Sequence, residues 1–318
     1  MVGLAISAFF VWATLSRVDL TEVAAAAGRA ALPGLALVFV FGWLEIATRA
    51  WRWRFLLSPL GRVSYGRCLA YTCVGYFANA LLPMRLGDVA RAYLAATALR
   101  LPRLATLGSI VTERLFDGLV ILGIATGLGF ALTDVSNVLP LAPWVILGLS
   151  GLLLAAGAAL VASRRPTAFM SLIPNRFRGA AARLVGGSIA VQNPRGAGTA
   201  VGATLVAYLC AVGSMMAVSY SVGLNLSVPQ AAFAIAWIGL STAIPAAPGS
   251  VGTYEFVGVS VLTLLHQDPA SALAAVVLLH VIGTLPVALV GLATTWALHL
   301  RVWRVSDGWP STLQVDPT

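Results

Sequence analysis

NALLPMRLGDVARAY, residues Asn79 to Tyr93, decides how this chain is read. It sets Pro83, Arg85, Gly87, Asp88 and Arg91 where the residues on either side read as membrane interior. A backbone broken at membrane depth persists only where its freed N–H and C=O groups are buried in protein or line a wet cavity, so such a break marks a pathway or a site. The chain then repeats itself. TAIPAAPGSVGTYE, Thr242 to Glu255, slides onto the first stretch without gaps and sets Pro245 against Pro83, Gly249 against Gly87, Val251 against Val89 and Gly252 against Ala90. Two interrupted hydrophobic segments at matching places in two halves point to a transporter-like binding site.

Composition fixes the class. With 59% hydrophobic and 10% charged residues over 318 positions, the chain has too little polar surface to cover a soluble globule and reads as an integral membrane protein. The net charge of +9 comes from Arg alone, since there is no Lys, and the Arg residues gather in a few short loops. That is a topology signal rather than a nucleic-acid patch, and no nucleic-acid partner is expected. Cys68, Cys73 and Cys210 lie in apolar runs without metal-ligand spacing and read as small buried hydrophobes. No sequence of the form GxxxxGK[ST] occurs, which argues against ATP-driven transport by this chain alone.

Hydropathy and Arg placement together give a topology. Val2 to Leu15 reads as a short retained span followed by a loop with Arg17, Asp19, Glu22 and Arg29, and Leu32 to Leu57 as a second span carrying Glu45, Arg49 and Arg52 on one face, able to pair with each other. Arg54, Arg62 and Arg67 put the next loop in the cytoplasm. Cys68 to Leu82 and Val89 to Leu99 are each about half a crossing, with Arg at both outer ends, as in a re-entrant hairpin entering from the cytoplasm. Leu104 to Leu132 then runs outward to a loop at Asp134, Ser136 and Asn137, and Leu141 to Ala162 returns. Residues 166–195 read as a basic amphipathic linker on the cytoplasmic leaflet, interrupted near Pro174. Thr199 to Leu224 goes out, a second hairpin broken at Pro245 to Gly249 enters from outside, and Ala270 to Leu300 comes back in, with a kink expected at Pro286.

The expected fold is thus an all-α polytopic transmembrane bundle with two inverted-repeat re-entrant hairpins, six crossings and both termini cytoplasmic, in the inner or plasma membrane. It forms one domain, 1–318, with halves at about 32–163 and 199–300 and a disordered tail at 305–318. Keeping each broken run as one kinked crossing is the alternative, and it would leave the basic linker outside.

The second arm of each hairpin would start near the bilayer centre, with Asp88 or Ser250 as its N-cap and Gly87 or Gly249 allowing the tight turn. Its N-terminus is a ready anion site, which Arg85 and Arg91 would strengthen. An intramembrane Arg costs at least ~2.5 kcal/mol unless paired or hydrated, so these residues need partners or a ligand. Glu113 and Asp117 share a helix face, with Arg114 beside it. They could bind a proton or cation, act as acid and base, or neutralise Arg91, Arg85 or Arg114. Glu255 has no basic neighbour in its own hairpin and would take Arg91, Arg114 or a proton as partner. His266 and His280 read as hydrogen-bonded structural residues, and no metal or cofactor is expected.

The motif N-x-x-L-P-x-R-x-G-D-x-x-R from Asn79 to Arg91, ERLFDG from Glu113 to Gly118 and IPAAPGSVGTYE from Ile244 to Glu255 together resemble the membrane region of lysylphosphatidylglycerol synthases and the wider flippase-like family. The resemblance implies a lipid-handling fold that moves phospholipids between leaflets, without the synthases' soluble aminoacyl-transferase domain. The expected function is therefore translocation of an anionic phospholipid or lipid-linked headgroup, with no catalytic residues and no enzymatic activity. Arg85, Arg91, Arg114, Asn79, Gly87, Gly249, Ser250 and Gly252 would bind the headgroup, while Asp88, Glu113, Asp117 and Glu255 would balance charge or couple to protons. A membrane transferase using Glu113 or Asp117 as base and a proton-coupled solute transporter are the alternatives. Oligomeric state stays open, a homo-oligomer among the possibilities.

Overall fold

A computed structural model describes residues 2–16, 18–82, 85–132, 173–244 and 246–298, with isolated positions between 147 and 157. Pro83, Pro245, the expected outer loop at Asp134 to Asn137, most of the expected crossing at Leu141 to Ala162 and the tail at 305–318 lie outside the described residues. Within them all regular structure is helical, as expected of a multi-pass membrane bundle.

The long helices start where local chemistry says they should. Helix α3, Leu32–Leu57, has Pro33 in its first turn, and at 26 residues it is about 39 Å long, enough to cross a ~30 Å core. Helix α8, Pro194–Ser221, is capped by Asn193, whose side chain accepts from the Gly196 N–H at 2.7 Å. Helix α11, Pro269–Ala297, is capped by Asp268 accepting from the Ser271 N–H at 2.8 Å, and it continues through Pro286 as a single helix. These three are long and apolar enough to span a membrane. Helix α6, Arg103–Leu132, is longer still but carries Glu113, Arg114 and Asp117.

The interrupted runs are helical on both sides of each break. Helices α4, Tyr65–Leu81, and α5, Leu86–Leu99, flank the first. Helices α9, Val228–Ser241, and α10, Thr253–Leu264, flank the second, which holds a 3₁₀ turn at Pro248–Ser250. At 14 residues, or about 21 Å, α5 is too short to cross alone. At the N-terminus α1, Val2–Leu15, is followed by a second helix, α2, Leu20–Gly28, and not by the expected loop. The alanine run favours helix, and Asp19 caps it by accepting from the Thr21 N–H at 2.7 Å. The two helices meet at 83°.

Helix pairing follows one rule. Helix α3 packs on α8; α4 packs on α11 as α9 packs on α6; α4 with α5 and α5 with α6 are matched by α9 with α10 and α10 with α11. Replacing α3, α4, α5 and α6 by α8, α9, α10 and α11 reproduces the contacts, so two equivalent helix sets interleave. The second break reaches the first set, since the Pro248–Ser250 turn packs against α4. Close approach needs glycine at one crossing in particular: a Cβ at Gly291 of α11 would run into the Cys73 carbonyl of α4 and lie 2.7 Å from Phe77 Cβ.

The basic linker contributes α7, Asn175–Val185, which begins after Pro174, has no buried residue and packs on α6 and a 3₁₀ helix at Gly186–Val191. Around the bundle, large apolar side chains such as Leu32, Trp296 and Tyr220 face outward, which suits lipid and not water.

Gly291→Ala should lower thermal stability by roughly 1–3 kcal/mol, because the added methyl meets backbone that cannot step aside. Gly123→Ala, where a Cβ meets nothing within 4 Å, is the matched control and should melt at or slightly above the wild type. Thermal unfolding in detergent, followed by tryptophan fluorescence, compares them.

Candidate functional site

Three helices bring their charges to one place. The later half of α3 presents Glu45, Arg49 and Arg52 at spacings of four and three, α5 presents Asp88 and Arg91, and α6 presents Glu113, Arg114 and Asp117. Asp117 is the hub. Its Oδ1 lies 2.7 Å from Arg52 Nη1, and its Oδ2 lies 3.1 Å from Arg49 Nη1 and 3.3 Å from Arg114 Nη1. Arg49 Nε also reaches Glu45 at 2.8 Å, so the expected pairing within α3 holds for these two, while Arg52 turns away to α6.

Glu113 is the second hub. Arg52 Nη2 lies 3.1 Å from its Oε1 and Arg91 Nη2 3.4 Å from its Oε2. Arg91 also donates to Thr72 Oγ1 at 3.4 Å and lies over the Trp53 ring at 4.6 Å. Arg52, Arg91 and Glu113 are essentially without solvent exposure. A side chain so enclosed holds helices together and is not free to meet a ligand.

The cluster opens at one edge. Arg114, whose side chain is 30% exposed, places Nε 3.1 Å from Asp88 Oδ2. Arg85 lies beyond it, and its Nη1 donates to Thr242 Oγ1 at 2.9 Å, tying the first break to the second. Among the described residues Arg85 has no carboxylate within ion-pair distance. Arg49, Arg52, Arg85, Arg91 and Arg114 therefore face Glu45, Asp88, Glu113 and Asp117, five cations against four anions. The buried Nε atoms of Arg52, Arg91 and Arg114 make no hydrogen bond among the described residues. Those of Arg52 and Arg91 are enclosed, so it is the excess positive charge at the open edge, at Arg85 and Arg114, that an anion would balance.

Several local expectations are corrected. Asp88 is not an N-cap: α5 begins at Leu86 after Arg85, whose left-handed backbone (φ 55°, ψ 31°) makes the turn expected of a glycine, and Asp88 sits in the first helical turn bound to Arg114. Gly87 is helical and serves packing, since a Cβ there would strike the Gly75 carbonyl and the Asn79 backbone; its N–H donates to Asn79 Oδ1 at 2.8 Å, so Asn79 secures the helix start. Ser250 is not an N-cap either, because α10 is preceded by Gly252 at φ 90°. Gly252 faces the protein, with a Cβ meeting the Ser7 carbonyl oxygen of α1 at 2.7 Å. Gly249, at φ 70°, is the glycine of the three where a Cβ would meet only a side chain, Val251 Cγ2 at 3.8 Å.

Glu255 meets neither Arg91 nor Arg114. Its Oε1 lies 2.6 Å from His280 Nδ1 on α11, and its Oε2 accepts the Gly252 N–H at 2.7 Å. The Tyr254 ring stacks on His280 at 4.1 Å. The partners that sequence reading missed are Arg49 and Arg52 for Asp117 and Glu113, and His280 for Glu255. The shared face of Glu45, Arg49 and Arg52 inside a span was the available signal for the first two.

Comparison with known proteins agrees with this architecture. The profile described as the lysylphosphatidylglycerol synthase TM region matches residues 1–291. A protein named glycosyltransferase AglD, from Haloferax volcanii, is 27% identical over 331 aligned residues, covering 90% of this chain and 52% of the relative, so the chain spans about half the length of that protein. A relative named as a transferase overturns the expectation that the chain has no enzymatic role.

Asp117→Asn should lower stability by ~3–5 kcal/mol, because it leaves Arg49 and Arg52 buried without their shared counter-charge. Asp117→Asn combined with Arg49→Gln should recover part of that loss. Melting curves of both in detergent read the difference, and an unchanged midpoint for the single variant would deny Asp117 its central place.

Proposed function

This chain belongs to the lysylphosphatidylglycerol synthase transmembrane-region family, and we propose that it binds an anionic lipid headgroup where its two breaks meet and carries that headgroup across the bilayer. The family and the apolar helices make it a multi-pass membrane protein concerned with lipid. The observation that carries the finer reading is Arg85. It is a cation without an ion-pair partner among the described residues, held by Thr242 of the second break, beside the partly exposed Arg114. A lipid phosphate there would complete the charge balance and could accept from both guanidinium groups.

In this reading Arg85 and Arg114 meet the phosphate, and Gly249 and Ser250 border it. Asp88 competes for Arg114 when lipid is absent. Arg91, Glu113 and Asp117 form the scaffold that fixes Arg114. The α4–α5 and α9–α10 pairs act as re-entrant hairpins from opposite sides, with the basic helix α7 and both termini in the cytoplasm of a cell whose inner or plasma membrane holds the protein. A membrane lipid or lipid-linked molecule is its partner.

A second reading follows from the relative's name: the same edge holds a lipid-linked substrate for a transferase. Glu113 and Asp117 are poor bases for it, since guanidinium groups enclose both. Asp88 is the carboxylate within reach of the edge.

In vesicles containing fluorescent phosphatidylglycerol or phosphatidylcholine, the wild type should exchange the anionic lipid faster between leaflets. Arg85→Gln should lose about tenfold of that rate, equivalent to ~1.4 kcal/mol in the barrier to exchange, with its melting midpoint unchanged. Equal exchange by variant and wild type would remove Arg85 from the site.

A further inference from the structure

The two helix sets carry equivalent acid–base pairs, and they differ in one chemical respect. Asp88 is the third residue of α5 and pairs with Arg114, the twelfth of α6; Glu255 is the third residue of α10 and pairs with His280, the twelfth of α11. Helices α5 and α6 correspond to α10 and α11 in the interleaved packing. The acids are equally accessible, each side chain being 16% exposed. In the first set the cation is permanent. In the second it exists only when an imidazole holds a proton.

The surroundings of the second pair isolate it. The helices packed on α10 are α1, α9 and α11, and across these and α10 itself Glu255 and His280 are the only charged side chains, with Tyr254 in ring contact with His280. Helix α11 also packs on α2, α3, α4 and α8, which carry Glu22, Glu45, Arg49, Arg52, Arg54, Arg67 and Arg195, and among the described residues none of these lies within ion-pair distance of Glu255 or His280. Among the described residues no Arg lies within ion-pair distance of Glu255, unlike Asp88 in the first set.

We infer that Glu255 and His280 form a proton-binding site through which the second half accepts the anionic headgroup, the incoming proton supplying the positive charge that Arg85 supplies in the first half. The inference rests on the lipid reading above. The proton balance is simple. Without the anion the pair is a neutral imidazole and a carboxylate joined through Nδ1 at 2.6 Å, with one net negative charge. The incoming proton makes the imidazolium, the pair becomes neutral, and a phosphate monoanion meets a cation in place of a net negative charge. When the anion leaves, that proton leaves too.

The test uses the full chain in phosphatidylcholine nanodiscs, weakly buffered, with a pH-sensitive dye and short-chain phosphatidylglycerol as the probe. Wild type should take up as much as one proton per lipid bound, and by reciprocal linkage its affinity should rise up to about tenfold per pH unit as pH falls. His280→Arg keeps a cation opposite Glu255, so it should fold and bind lipid, but with no proton uptake and a flat pH profile. Lipid binding without proton uptake in the wild type, or uptake unchanged in His280→Arg, overturns the inference. Proton-linked binding without leaflet exchange in vesicles would remove translocation and leave the proton site standing. Absence of lipid binding would remove both.

Discussion

Charge inside a lipid-facing bundle has to be neutralised by other protein groups, because hydrocarbon offers neither counter-ions nor hydrogen bonds. Much of this structure can be traced to that constraint acting on Asp117. Three arginines from two helices converge on its two oxygens, and Glu113 one turn away takes up what they leave over. The demand fixes how α3 and α6 face each other, and Arg91 extends it to α5. Helix α8 joins through Thr204, which accepts from Arg52, and Tyr208, whose ring lies beneath Arg49. Removing a pair of such charges together costs far less than removing one, so the cluster specifies an arrangement more than it adds stability.

Arg114 and Arg85 stand where that enclosed order gives way to an accessible edge. Arg114 belongs to both sides: it binds Asp117 inward and Asp88 outward. A ligand that draws it from Asp88 therefore acts on a group whose other end is anchored in the scaffold. The same geometry serves a carrier or a transferase, since either must hold a headgroup without letting the fixed charges rearrange. The relative from Haloferax volcanii and the family profile place the chain among lipid-related membrane proteins, and the choice between those chemistries turns on what the edge holds and not on the fold.

The long spans, the two breaks and the charged triplets were legible in sequence because each is a local pattern: hydropathy, a Pro and Gly interruption, a helical spacing. Partner choice was not legible, because it depends on which helix faces which. Glu45, Arg49 and Arg52 read as an internal trio, and only the contact between α3 and α6 shows that Arg52 belongs to Asp117 and Glu113. The repeat misled for a different reason. A gapless match pairs Gly87 with Gly249, but the second break is longer, so the residue equivalent to Asp88 is Glu255 and the matched glycines do different work. Helix α2 was missed because mixed charges at its start outweighed an alanine run whose propensity is high.

The interleaving of the helix sets bears on how the chain is made. Helix α4 lies against α11, and α6 against α9, so the first half synthesised has no complete set of neighbours until nearly the whole chain has been delivered to the membrane. During that interval the charges of α5 and α6 can pair with α3, while the face of α4 that will meet Gly291 has only lipid against it. The ion cluster is thus available as an early assembly point and the α4–α11 seam as a late one. A chain stalled or cut before α11 would hold its charges satisfied yet lack the contact that closes the bundle, a state open to recognition by membrane quality control.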